Sequence, residues 1–454
     1  MRRALLLVTF VACGDNLSVD TALHPSSGTR LKLQQYRYED GTLQADQTAF
    51  YDTSFHATCT PKLWADGALR CVPLGADVAR FTDSACTTAI GLAESPVRRP
   101  THFLGYDTVD HTQVPARIYR VTGTTDAAAS YYQLRDGMCQ RDLDVPFATD
   151  YFALGELEPT DVAQFLDGEV GAGRLGLQVR ETLDGLLVYR GVRDRELDLR
   201  CTPTLRADGV ACEPTDADTA PAEHFLDPAC RQPALRAPKN QDIPRMMTVH
   251  DAAGCLRFHA VGAEAVVTRL YRRVGDVCMR ADDPAEEHVF GLGAPVVLAP
   301  LERAIEDAPE RRLQHVVLSP AAETALRFES DRLVDSATRN ECVTRSVGDV
   351  TWCVPADMER AMPLYATGCT LPVNVVEVRE PTCRPATFAA GLSFDEEALE
   401  IYAIGDPVTT PLYHFTGAGC APYFPEPGHV LRALGPALPA DTFLRAAKFA
   451  ERDP

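Results

Sequence analysis

The chain has 454 residues, 45% of them hydrophobic, with a formal net charge of −20. That length admits two to four domains, and the hydrophobic content argues against general disorder. So acidic a surface repels phosphate backbones and speaks against a nucleic-acid partner.

In chain order, Met1-Arg2-Arg3 leads into the apolar run Ala4 to Ala12, which stops at Cys13. A basic start, a short apolar core and a small residue before the cut describe an export signal over residues 1–12. The run is too short to cross the roughly 30 Å hydrocarbon core of a bilayer. Phe10-Val11-Ala12-Cys13 resembles the lipobox of bacterial lipoproteins, with Phe10 where Leu is usual. The resemblance implies lipidation of Cys13, and acyl chains at about 0.8 kcal/mol per buried methylene would hold the chain on a membrane. Gly14 follows Cys13 where inner-membrane retention uses Asp, which by the same resemblance implies outer-membrane sorting. Residues 13–28 are polar and predict a flexible tether. The longest later apolar stretch, Ala294 to Leu301, contains two prolines and is too short to span. Membrane contact is therefore expected through the N-terminal lipid alone.

Beyond Cys13 the cysteines recur. Cys59, Cys201 and Cys342 stand 142 and 141 residues apart, and Cys71, Cys212 and Cys353 stand 141 and 141 apart. Cys86, Cys230 and Cys369 follow at 144 and 139, then Cys139, Cys278 and Cys420 at 139 and 142. A period held over four markers predicts three tandem units of about 141 residues, at 29–170, 171–310 and 311–454. Cys255 and Cys383 are extra members of the second and third units, and the first has no counterpart near Arg117. An exported chain meets an oxidising compartment, so these fourteen cysteines are disulfide candidates. The unequal counts leave open one bridge between units or a pair of free thiols. No Cys-x-x-Cys and no zinc-ligand spacing occurs, and no metal or cofactor is expected.

Within a unit, apolar and polar residues alternate as in half-buried strands. Ala65-Asp66-Gly67 and Ala207-Asp208-Gly209 fall between paired cysteine positions and predict hairpin turns. Further strands are expected at Ala116 to Thr122, Tyr131 to Leu134 and Tyr151 to Leu154. Their counterparts are Cys255 to Val261 and Thr268 to Arg272, then Leu399 to Ile404 and Leu412 to Phe415. Pro159, Pro300 and Pro439 each precede apolar residues at helical spacing and predict a short helix closing each unit. The fold expected is mostly β, three tandem β-rich repeats each ending in a helix, with a six-bladed propeller as one packing of them.

No catalytic motif emerges: Gly-x-Ser-x-Gly, His-Glu-x-x-His and a phosphate-binding Gly-rich loop are all absent. Gly171 to Gly176 matches Gly-x-Gly-x-x-Gly but precedes a strand, so it reads as a boundary turn. Asp216 and Asp218 lack the Gly and Glu of a helix-loop-helix calcium site and read as a solvated acidic loop. His56, His102, His224, His250, His288 and His414 read as core or edge residues. Tyr131, Tyr132 and Trp352 read first as core packing, with stacking on sugar rings as the alternative.

Phe81-Thr82-Asp83-Ser84-Ala85-Cys86 and Phe225-Leu226-Asp227-Pro228-Ala229-Cys230 share one element. With the lipobox, the Asp-Gly hairpins and the Arg-rich composition, it resembles a family of uncharacterised myxobacterial lipoproteins. The resemblance covers essentially the whole mature chain and implies no activity and no site residue. The expected function is a lipid-anchored, disulfide-stabilised lipoprotein of the cell envelope, with a non-catalytic binding or structural role and a glycan or protein partner. The alternative is a surface-anchored hydrolase or lyase whose site is built from loops between repeats.

Overall fold

A computed structural model of the chain describes residues 22–93, 100–109, 112–135, 137–143, 150–215, 218–274, 277–281, 287–306, 310–322, 326–380, 382–391, 399–417, 419–426 and 428–451. Its centre is a closed barrel of strands that arrive in three runs. The first run is Leu31–Tyr38, Leu43–Asp52, Ala57–Leu63, Leu69–Pro73 and Gln164–Val170. The second is Leu175–Thr182, Leu187–Asp194, Leu199–Arg206, Gly209–Pro214 and Pro300–Ile305. The third is Leu313–Pro320, Phe328–Asp335, Asn340–Val347, Val350–Pro355 and Arg445–Ala450. The final strand pairs with the first, Gln34 opposite Ala450 and Tyr38 opposite Ala446, which leaves the barrel without a free edge.

Between its fourth and fifth barrel strands each run sends out a side sheet. The first and second side sheets have eight strands each and the third has seven. The strands expected around Ala116, Tyr131 and Tyr151 lie in the first, as Thr112–Thr124, Tyr132–Arg135 and Asp150–Leu157. Their expected counterparts are present in the second and third as Leu256–Glu264, Tyr271–Val274, Ile401–Pro407 and Tyr413–Thr416.

Two expectations are corrected. The segments after Pro159, Pro300 and Pro439 are not helices: Pro159–Asp161 and Ala440–Thr442 are single 3-10 turns, and Gln164–Val170, Pro300–Ile305 and Arg445–Ala450 are barrel strands. The helix signals near Pro159 are genuine but local, since Glu158 N–H donates to the Asp161 carboxylate at 3.1 Å and the turn goes no further. Strand pairing then takes the backbone, because Phe165 sits opposite both Leu69 and Thr182 and its ring is buried against Phe50 at 5.4 Å. Nor are there radial blades among the described residues, so the propeller packing does not hold. The fifth strand of each run hydrogen-bonds onward to the next run, which builds a barrel wall instead.

Three cores lie where the runs meet. Leu31, Leu33, Phe50 and Phe165 pack with Leu186 and Val188 of the second run. Leu175, Leu177 and Val192 pack with Val316, Leu318 and Phe328 of the third. Tyr38 packs with Leu313 and Leu333, joining the third run to the first. Hairpin tips add polar ties: the Asp184 carboxylate accepts the Arg30 and Leu31 N–H groups at 2.7 and 2.8 Å, and Asp40 accepts the Leu313 N–H at 2.7 Å.

Each run also carries a buried clamp. Arg30 donates through Nε and Nη2 to Asp52 at 3.0 and 2.8 Å, Arg174 to Asp194 at 3.0 and 2.7 Å, and Arg312 to Asp335 at 2.7 and 2.6 Å. The same Nη2 groups donate to the carbonyls of Asp161, Val297 and Thr442, just before the fifth strands. Each carboxylate also accepts N–H groups of the turn that follows it, at Ser54, Glu196 and Ala337.

Seven cysteine pairs are disulfides. Cys59–Cys71, Cys201–Cys212 and Cys342–Cys353 staple barrel hairpins. Cys86–Cys139, Cys230–Cys278 and Cys369–Cys420 each close within one side sheet. Cys255–Cys383 joins the second side sheet to the third, so the alternative of free thiols at these two positions does not apply.

Cys13 and residues 13–21 of the expected tether lie outside the described residues. Residues 22–28 do not hang free, however. Leu23 N–H donates to the Arg327 carbonyl at 2.7 Å, and Ser26 exchanges both backbone hydrogen bonds with Leu187 at 2.9 Å. Among the described residues no helix is long and apolar enough to cross a membrane.

Candidate functional site

Two cavities stand out by their linings. The first is a chamber of about 580 Å³ bounded by barrel strands of all three runs. Second-strand residues form much of it: Asp46 and Gln47 from the first run, Tyr189 and Arg190 from the second, Glu329 and Asp331 from the third. They reach it because the pairing register of each second strand slips at a bulge, opposite Leu33/Gln34, Gln178/Val179 and His315/Val317. A bulge kinks a strand and re-aims its side chains.

The polar groups of the chamber are largely fixed. The Gln44 amide donates to the Asp331 carbonyl at 2.5 Å, and its oxygen accepts from Tyr38 at 3.1 Å and from Thr344. Tyr189 N–H donates to Gln47 Oε1 at 2.7 Å. Lys448 lies over the Tyr36 ring at 5.4 Å and donates to Asp46 at 2.5 Å. Burial works to raise the Asp46 pKa, but Lys448 and Thr48 outweigh it and hold the carboxyl below the ordinary value. Glu329 is held the same way, with burial opposed by His315 at 2.6 Å and His24 at 2.8 Å. Burial lowers the His315 pKa, and Glu329 more than reverses that. His24 belongs to the N-terminal segment, so this triad ties that segment to the chamber wall.

One group in the chamber lacks a partner. The Tyr189 hydroxyl is buried and makes no hydrogen bond, while its ring packs edge-on to Phe328 at 6.4 Å. Burial, with Glu329 nearby, pushes its pKa above the ordinary tyrosine value. Leaving a buried donor unpaired costs about 1–3 kcal/mol, so such a group calls for an occupant or a reason.

The second cavity is a cleft of about 460 Å³ between the second and third side sheets, with Cys255 and Cys383 in its wall. It also carries His250, Arg379 and His429. His250 ends the strand Met246–His250, while Arg379 and His429 are direct cross-strand partners of Pro372–Arg379 and His429–Ala437. The sequence signal for this place was the unequal cysteines. The charged residues around them gave no spacing pattern, because three separate strands supply them.

The other singled-out residues fall elsewhere. Trp352 is buried, with Arg445 over its ring at 4.8 Å, so it is a core residue. Tyr131 stacks on Tyr151 at 6.4 Å, and Tyr132 starts a strand of the first side sheet; neither lines either cavity. His102 is buried beside Phe55 at 5.0 Å, where burial and then Arg120 lower its pKa. His224 is lowered by burial and Arg236, His288 pairs with Glu264 at 2.7 Å, and His414 stands edge-on to Tyr423 at 5.5 Å. His56 occupies a turn at φ 50°. The glycine run from Gly171 is a turn between two barrel strands, where Arg195 caps the Gly171 carbonyl at 2.7 Å. Asp216 lies outside the described residues. Among the described residues no group of three or more His, Cys, Asp or Glu is placed to hold a metal ion.

The sequence profile of a family of unknown function (DUF7481) matches residues 6–443, and the chain belongs to that family. No curated protein and no solved structure matches it.

Proposed function

We propose that this member of a family of unknown function is a non-catalytic binding protein of the cell envelope, lipid-anchored at Cys13, built from three copies of one unit, with the central chamber as its ligand site. The observation that carries the reading is the chamber itself. It joins the rings of Tyr36 and Tyr189 to amide and hydroxyl groups (Gln44, Gln47, Thr202) and leaves the Tyr189 hydroxyl without a partner. Rings flanked by fixed polar groups suit a neutral glycan, whose sugar faces stack while its hydroxyls exchange hydrogen bonds. Seven disulfides support an extracellular or envelope location. The hydrolase alternative finds less support, because Asp46 and Glu329 are both held ionised, the wrong direction for a general acid.

Two measurements test this. Titrating the mature protein with neutral envelope oligosaccharides in a calorimeter should show binding that Tyr189→Phe weakens by about tenfold, the worth of one hydrogen bond. Because that hydroxyl has no protein partner, the same variant should unfold at an unchanged or slightly higher denaturant concentration. A Tyr189→Phe protein that binds normally, or that loses stability, would count against the chamber as the site. For the anchor, Cys13→Ser should move the protein from the membrane fraction to the soluble fraction; retention in the membrane would end the lipid assignment.

A further inference from the structure

The cleft between the second and third side sheets has a charge balance unlike the rest of this acidic chain. Most of its charged residues are already paired. Arg206 meets Glu213, Arg257 meets Asp251 at 2.7 Å, and Arg384 meets Asp357 at 2.7 Å. Glu377 accepts hydrogen bonds from the Tyr423 hydroxyl and from the Glu426 N–H. Arg379 is different: it is half-buried and forms no ion pair among the described residues.

Two imidazoles share the cleft with it. His429 lies directly across the strand pair from Arg379, and its Nδ1 is buried without a hydrogen bond, 4.0 Å from Glu426. His250 comes from the neighbouring sheet; burial lowers its pKa, Arg379 and then His429 lower it further, and Asp251 opposes them only in part. Three groups able to carry positive charge thus share one cavity, whose lining also holds the carboxyl groups of Glu359 and Glu377. Such a cluster is unfavourable empty and favourable around an oxyanion, which each of the three can meet with an N–H donor.

The cross-link holds this cluster together. Cys255 sits next to Leu256, the residue paired with His250, and its N–H donates to Asp251 at 2.9 Å. Cys383 follows shortly after Arg379 along the chain. Cys255–Cys383 therefore joins the two sheets beside the very residues that face each other, and the first run has no such bridge.

We propose that this cleft binds a small molecule bearing a phosphate or carboxylate group, received by Arg379, His250 and His429. At about 460 Å³ the space exceeds what a bare inorganic ion needs and fits a sugar-sized ligand. The carboxyl without a partner that faces the site is Glu359, whose pKa is raised by desolvation against the pull of His429. As pH falls, His250 gains charge and Glu359 loses it. Both changes favour an anion, so affinity should rise toward acid pH.

Calorimetric titration of the full mature chain with glucose 6-phosphate, glucuronate and glucose tests this at about pH 6 and about pH 8, on either side of the histidine range. Binding of either charged sugar but not glucose supports the site and identifies the group it takes. That binding should be about tenfold tighter at the lower pH and fall by about tenfold or more in Arg379→Gln, as loss of a charged hydrogen bond requires. Since Arg379 has no ion pair to lose, the variant should keep its unfolding midpoint. Should it misfold, His250→Asn provides the second reading, with reduced pH dependence. Tyr189→Phe should leave this binding unchanged, which separates the cleft from the chamber. No binding of either anion, equal binding of glucose, or an unaffected Arg379→Gln would overturn the proposal.

Discussion

Asp194→Ala is expected to lower the unfolding free energy by about 3–5 kcal/mol, the cost of breaking a buried ion pair from one side. The Asp194 carboxylate is fully inaccessible, whereas Arg174 retains 24% exposure. The carboxylate accepts two bonds from Arg174 and further N–H groups from Glu196 and Leu197. Alanine would strand all of these donors, and the Arg174 bond to the Val297 carbonyl would lose its anchor. Because that carbonyl lies beside the fifth strand, the loss reaches the junction with the third run. Asp52→Ala and Asp335→Ala should behave alike, since each has the same neighbours. Glu156→Ala, which removes an exposed contact with Arg117 at 3.9 Å, should change stability by about 0.5 kcal/mol or less. Urea unfolding of the four variants checks this, and clamp variants no worse than Glu156→Ala would show that the clamps do not hold the runs.

Replacing Cys255 and Cys383 together by serine is the second large effect. Their bridge spans a sequence separation of 128, against 11 for Cys201–Cys212. On the chain-entropy account the long loop restrains the unfolded chain by about 5 kcal/mol and the short one by about 3 kcal/mol. The double serine variant should therefore shift the urea midpoint further than Cys201→Ser with Cys212→Ser. It should also leave the barrel intact, since Cys255–Cys383 lies outside it, so tryptophan fluorescence from buried Trp64 and Trp352 should stay native. A smaller shift than that of the hairpin pair would contradict the assignment of this bridge as the long-range tie.

Several of these features were legible in the residues themselves. The cysteine ladder, the Asp-Gly turns and the period-two strands are all local, and each appears where alternation or turn chemistry placed it. The clamp carboxylates were legible too: Asp52, Asp194 and Asp335 recur with the cysteine period, like Arg30, Arg174 and Arg312. The misread helices show the limit. Around Pro159 the capping residues and apolar spacing are those of a helix start, yet Gln164–Val170 pairs as a barrel strand with Leu175–Thr182 and, at its start, with Leu69–Pro73 across an entire side sheet. Nothing local announces a partner so distant, and barrel closure between Leu31–Tyr38 and Arg445–Ala450 is hidden for the same reason. The two cavities are further still from local reading. Tyr189 and Glu329, or His250 and Arg379, come together only through bulges, sheet packing and one disulfide. Unequal cysteine counts did mark the neighbourhood of the cleft, because a bridge between units breaks the regular pattern.

At the centre stands a disulfide-locked barrel whose second and third side sheets are cross-linked over a cleft. Peptide mapping of the protein under non-reducing conditions tests it most directly. The expected result is Cys255 joined to Cys383, with Cys59–Cys71, Cys201–Cys212 and Cys342–Cys353 in the barrel and Cys86–Cys139, Cys230–Cys278 and Cys369–Cys420 in the side sheets. Free, alkylatable thiols at Cys255 and Cys383, or pairing of either with another cysteine, would contradict it.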